Sequence, residues 1–227
     1  SGTAYNIVPD KAVAEIMATH PNQIAEACQQ FAKETGYNLT ASPGPANLSI
    51  TSVGKADHGS TPYKGVNAAM QLFAFLATLD LASSDMSEAI RFVDSQIDME
   101  TDGRSLGLAM EDEPSGNLTL NAGLVNVTLK RMTLGLNIRY PVTFAFDEVM
   151  SRLNQSLEES GFIAEVSQQV QDPLYYPKDS PLIVTLTRVY AQHTGRNDSA
   201  IAIGGGTYAK EMPNIVASGP MMPDQEE

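Results

Sequence analysis

Apolar positions recur along the chain with two periods, and the points where the period changes divide it into elements. Residues 1–8 alternate loosely and end at Val8-Pro9-Asp10, which predicts a strand running into a turn. Residues 11–18 are ambiguous: Ala and Glu favour helix, whereas the brevity between turn signals favours strand. Pro21-Asn22 opens a predicted helix over 22–35, with Ile24, Cys28 and Phe31 on one face and Gly36 as its stop. Two strand-like runs follow, separated by Ser42-Pro43-Gly44-Pro45; the second covers 48–53. Over 66–79, Val66, Ala69, Met70, Phe73, Leu76 and Ala77 hold the spacing of an amphipathic helix. A further helix is predicted at 86–97, with Ser84 or Asp85 as cap.

From 117 to 140 the period falls to two, through Leu118/Leu120, Val125/Val127/Leu129 and Leu134/Leu136/Ile138, so a β-ribbon closed by Pro141 is expected. A helix over 146–160 ending at Gly161 and a strand over 162–170 complete this region. Three prolines between 171 and 181 exclude continuous helix or a central strand and mark a boundary. Beyond it the pattern predicts a helix at 182–194, a short apolar strand at 200–203 and a Gly204-Gly205-Gly206 turn. The expected fold class is α+β: an antiparallel sheet with helices packed on it over about 170 residues, then an α/β remnant.

Composition narrows the function. Fourteen Lys+Arg against 27 Asp+Glu give a net charge of −13, which argues against a nucleic-acid partner. No apolar run approaches the ~18 residues of a membrane span. The single cysteine, Cys28, excludes an intrachain disulfide, and its place in an apolar helix face predicts a buried small hydrophobe. No basic stretch leads into an apolar run at the start, so no signal peptide and a cytoplasmic protein are expected.

Three histidines are candidates for chemistry. His20 and His193 flank predicted helices and read as surface residues. His58 lies in Gly54-Lys55-Ala56-Asp57-His58-Gly59-Ser60-Thr61-Pro62, a loop of small residues that exposes an imidazole to a ligand. The plainer alternative is a loop histidine bonded to a neighbouring Ser or Asp. None of the three forms a close-spaced metal motif. Arg139, at the end of a predicted strand, suits either a salt bridge or a carboxylate clamp. Gly204-Gly205-Gly206-Thr207 suits either a tight turn or an anion cradle, and lacks the spacing of a nucleotide loop.

Taken in order, four segments resemble the zinc-dependent aminoacylase/carboxypeptidase/dipeptidase family of metallopeptidases, and within it the bacterial Xaa-His (carnosinase-like) dipeptidases. They are Asn6-Ile7-Val8-Pro9-Asp10; Gly54 to Pro62 continuing to Asn67-Ala68; Asn137-Ile138-Arg139-Tyr140-Pro141; and Ile203 to Ala209 with Pro213 to Ala217. The resemblance implies a catalytic α/β domain holding two zinc ions and an inserted α+β lid, with residues 1–171 as the lid and 172–227 as the end of the catalytic domain. It implies that His58 stabilises the tetrahedral oxyanion and that Asn6 and Arg139 bind the carbonyl oxygen and terminal carboxylate of a dipeptide. It also implies that Gly204, Gly205, Gly206 and Thr207 line the substrate site.

The family's His-x-Asp segment, bridging Asp and paired glutamates have no counterpart in the 227 residues, and its last zinc-ligand histidine belongs shortly after Gly219-Pro220. Lys210 and Ser218 are minor departures from the family pattern. The resemblance thus implies a fragment that lacks an N-terminal catalytic segment, binds no zinc by itself and is inactive alone. A stand-alone lid-like module for peptide binding or dimerisation is the competing reading. The segment 172–227 argues against it, and the long lid favours one that fills the dimer's place within a single chain.

Overall fold

A computed structural model describes residues 1–167 and 170–218. The ambiguous run resolves as strand β1 (Lys11–Met17), which pairs antiparallel with β3 (Asn47–Val53); β2 (Leu39–Pro43) pairs on the other edge of β3. Alternation decides the faces of this sheet. Ala12, Leu39, Leu48, Ile50 and Ser52 point inward and are buried, while Val13, Met17 and Val53 point to solvent. The inner face is covered by α1 (Pro21–Thr35) and α2 (Ala68–Ala77). Cys28 is completely buried on α1, as expected, and that burial pushes its thiol pKa up.

The second helix departs from expectation. Its spacing predicts one apolar face, yet eight of its ten residues are buried, so α2 is the centre of the core rather than a surface helix. Phe75, 1% exposed, stacks on Phe31 of α1 at 5.5 Å. The one polar residue within α2, Gln71, is satisfied by accepting from the Asn38 backbone N–H and the Ser52 hydroxyl. Asn67 caps the helix by accepting from the backbone of Ala69 and Met70, and its own amide donates to the Ala122 carbonyl at 3.0 Å. This ties the start of α2 to the second sheet.

That second sheet is the expected ribbon, β6 (Thr119–Val127) against β7 (Met132–Arg139), with a bulge between Ala122 and Leu124. A small hairpin, β4 (Glu111–Asp112) with β5 (Gly116–Asn117), precedes it. Helix α3 (Asp85–Gln96) starts in a capping box, in which Ser84 and Ser87 exchange side-chain and backbone bonds. Helix α4 (Phe146–Leu157) adds Val149 and Leu153 to the core. The α+β class is as expected.

Two expected strands do not form. Residues 162–167 and 170 carry no strand, with Ile163 86% exposed, and residues 168–169 of that prediction lie outside the described residues. Residues 200–203 are likewise irregular and exposed. Alternating or apolar runs become strands only where a neighbour completes the ladder, and neither run has one among the described residues. Residues 1–8 make a single bridge, Ile7 to His58, instead of a strand. Helix α5 (Pro181–Thr194) buries no residue, and of the described residues 172–218 only Ala209 is buried.

Phe75→Ala should therefore lower the unfolding free energy by about 3–5 kcal/mol. Val184→Ala, on the bare face of α5, should change it by less than about 0.5 kcal/mol. Urea titration of the two variants measures the contrast.

Candidate functional site

The first eight residues form a strap laid across the β6–β7 ribbon. Backbone approach makes this possible: a Cβ at Gly123, in the bulge, would fall 2.2 Å from the Tyr5 carbonyl oxygen. Ser1 and Val125 exchange bonds at one end. At the other, buried Asn121 donates its side-chain amide to the carbonyls of Tyr5 at 2.9 Å and Ile7 at 3.0 Å. Asn6 lies between those two anchors, with its side chain exposed and free of hydrogen bonds among the described residues.

The loop carrying His58 meets the strap. The Gly59 N–H donates to the Asn6 carbonyl at 2.7 Å, and a Cβ on Gly59 would lie 3.0 Å from the Asn6 Cα and 2.9 Å from the Asn137 Oδ1. A side chain at this position would crowd both neighbours, so glycine suits the approach. His58 is exposed, and its Nδ1 lies 2.7 Å from the Ser60 hydroxyl. The Ser60 backbone N–H also points at Nδ1, at 3.4 Å. An N–H can only donate, so the contact favours the tautomer that carries its proton on Nε2 and presents a donor outward. The bond to a neighbouring serine was the plainer alternative for this histidine; it orients the ring and leaves Nε2 available.

Asp57 fixes the loop beneath. Its Oδ1 accepts from the Thr61 hydroxyl at 2.7 Å and the His58 N–H at 2.9 Å, and the Thr61 bond is the main cause holding its carboxyl pKa below the ordinary value.

Arg139 ends β7, half-buried, and burial lowers its pKa without discharging a guanidinium. It has no carboxylate partner among the described residues. Its Nε donates to the Asn137 Oδ1 at 3.0 Å, and one terminal nitrogen donates to the Gly204 carbonyl. The glycine turn reaches the histidine loop as well, since a Cβ on Gly204 would sit 3.0 Å from the Ser60 Cβ. Arg139, Ser60, Gly204, Gly205, Gly206 and Thr207 line an open cleft of about 3000 Å³. Small-molecule pockets enclose about 300–1,000 Å³, so this is a groove rather than a closed pocket. His58 and Asn6 do not line it.

Asn6, His58, Arg139 and Gly204, dispersed in the sequence, are thus brought to one patch; Thr207 and the other two glycines face the same cleft. Sequence reasoning missed Asn121 and the part of Asn137 that grips Arg139. A polar residue inside an apolar alternation is the signal that could have found Asn121. His20 and His193 are exposed, as expected. Among the described residues no group of three or more His, Cys, Asp or Glu could hold a metal ion, so zinc does not fit this part of the chain. The histidine expected after Gly219-Pro220 falls outside the described residues. No described helix is long and apolar enough to cross a membrane.

The fold and patch define an α+β module that presents an asparagine, a histidine and an arginine beside one groove. The family model described as a peptidase dimerisation domain, that of the M20 peptidases, matches residues 40–163, more than half of the chain, and the chain belongs to that family. Proteins named as candidate dipeptidases are similar over its whole length: 32% identical in Staphylococcus epidermidis, 31% in Staphylococcus saprophyticus and 30% in Staphylococcus aureus. The chain spans about half, 48%, of the length of these relatives.

Two outcomes test the geometry. Gly123→Ala should expel the strap from the ribbon, read as faster amide hydrogen exchange confined to residues 1–8 and their bonded partners. Because the Asp57 pKa is depressed, its stabilising bonds are fully present above the ordinary aspartate value of 3.8 and are lost as pH falls through the lower folded value. The amide signals of His58 and Thr61 should therefore shift in an acid titration with a midpoint below 3.8.

Proposed function

We propose that this chain forms the substrate-closing part of a dipeptidase, which hydrolyses the amide bond of dipeptides. Residues 1–171 are read as the lid and 172–227 as part of the catalytic domain. The observation that carries the reading is the convergence of Asn6, His58, Arg139 and Gly204, four residues from separate segments, on one patch. As water adds to the scissile carbonyl, its oxygen gains charge. The His58 Nε2–H and the Asn6 amide donate to it, where fixed donors count most. Arg139 pairs with the free carboxylate of the dipeptide. The Gly204 carbonyl that now accepts from Arg139 is a neutral acceptor, and a carboxylate displaces it as the stronger one. Gly204, Gly205, Gly206 and Thr207 border the substrate on the other side.

The relatives' names support dipeptide hydrolysis, and the resemblance of the four ordered motifs to a zinc-dependent family is the ground for reading it as zinc-dependent. The described residues hold no set of ligands for that metal, and on this reading its ligands belong to the remainder of a longer polypeptide. On this reading the 227-residue chain alone hydrolyses no dipeptide, with or without added zinc.

A second reading, self-association, is favoured by the family's description and by the open sheet face carrying Val13, Met17 and Val53. Sedimentation equilibrium measures it directly: a monomer at all concentrations removes it.

In the complete polypeptide, His58→Ala should lower kcat by about 10²–10³, as for loss of an oxyanion donor. Arg139→Ala should raise KM for dipeptides with a free carboxylate and spare those with an amidated C-terminus. An unchanged rate for the first, or equal losses on both substrates for the second, refutes the role assigned.

A further inference from the structure

We propose that Asn121 and Asn137, directly opposed on the β6–β7 ribbon, are positioning residues that fix the directions of Asn6 and Arg139; the proposal rests on reading those two as substrate contacts. Asparagine is disfavoured in strands, and a buried amide without partners costs free energy, so an Asn 2% exposed in mid-strand needs a reason. Opposed residues of an antiparallel pair share a face, and Arg139 lies on the face of Asn137 two residues earlier. One cross-strand rung thus serves two arms of the site.

Asn121 acts on the strap. The strap has one bridge of its own, from Ile7 to His58, and the Asn121 side chain takes the place of the missing ladder. Its amide nitrogen bonds the carbonyls at 5 and 7, one on each side of Asn6. Two anchors separated by a single residue fix that residue's backbone, and so the direction in which its side chain leaves. The third carbonyl, that of Asn6 itself, is held by Gly59 next to His58. The donor amide and the imidazole are therefore set relative to each other by backbone bonds.

Asn137 acts on the guanidinium. An arginine can grip a carboxylate side-on, through Nε and one terminal nitrogen, or end-on, through both terminal nitrogens. The Asn137 Oδ1 occupies Nε, so that a ligand displacing the Gly204 carbonyl meets the end-on fork. It therefore selects how Arg139 presents itself and not only where it sits.

The test is a pair of double-mutant cycles on the complete polypeptide, with thermal unfolding recorded for every variant. Asn121→Asp keeps the shape but loses the two donors. It should lower kcat/KM about 10- to 100-fold, the scale of a misplaced contact. In an Asn6→Ala background the same change should cost less than about twofold. Asn137→Ala, at a half-buried site, should raise KM about tenfold for free-carboxylate dipeptides with kcat held, and should have no effect once Arg139 is Ala. This second arm stands whether or not the Asn121 variant folds. Losses that multiply in both backgrounds would overturn the proposal, because they mark residues that only support the fold. A different signature, Asn6→Ala and Arg139→Ala each without effect alone, would overturn the substrate reading and the proposal with it.

Discussion

The relative placement of Asn6 and the His58 loop depends on the first eight residues crossing the ribbon at backbone distance. At Gly123 there is no space for a methyl group between ribbon and strap, and at Gly59 the strap and the histidine loop leave only a tight one. These two contacts let carbonyls and amides of three separate segments bond directly, so the side chains of Asn6 and His58 hang from a backbone held by hydrogen bonds. Long side chains lose rotamer freedom when fixed, whereas a short asparagine on a pinned backbone loses little. Asn67 extends the same logic inward by joining the ribbon bulge to the central helix, which connects the patch to the most deeply buried element of the molecule.

Much of this was legible from residue patterns. Elements that carry their own boundary signals fell close to where periodicity placed them: α1 between Pro21 and Gly36, α3 after Ser84, and the ribbon before Pro141. The ordered motifs also named Asn6, His58, Arg139 and the glycine turn, and the structure brings these segments close together. Patterning failed where the answer lay in a neighbour. Whether α2 buries one face or nearly all of itself depends on a sheet, a helix and a ribbon closing around it, none of which is encoded in its own ten residues. The runs at 162–167 and 200–203 have strand composition but no partner in the described residues to pair with. Asn121 was hidden for a related reason: its two acceptors stand more than a hundred residues away.

The glycine turn and Arg139 couple two regions of very different character. From β1 to α4 the chain shares one apolar cluster, whereas the described part of 172–218 buries a single alanine. The contact from Arg139 to the Gly204 carbonyl is a single polar bond to a neutral acceptor, which on the proposed reading suits a junction that opens to admit a dipeptide.

The isolation of α5 also bears on cooperativity. A helix that is at most half-buried shares little packing energy with the core, so its melting is only weakly linked to the melting of the sheets. Chemical denaturation followed by a core probe would trace one sharp transition belonging to residues 8–157. The segment beyond would lose its structure at far lower denaturant, and it would be trimmed first by any protease that meets the chain on its own.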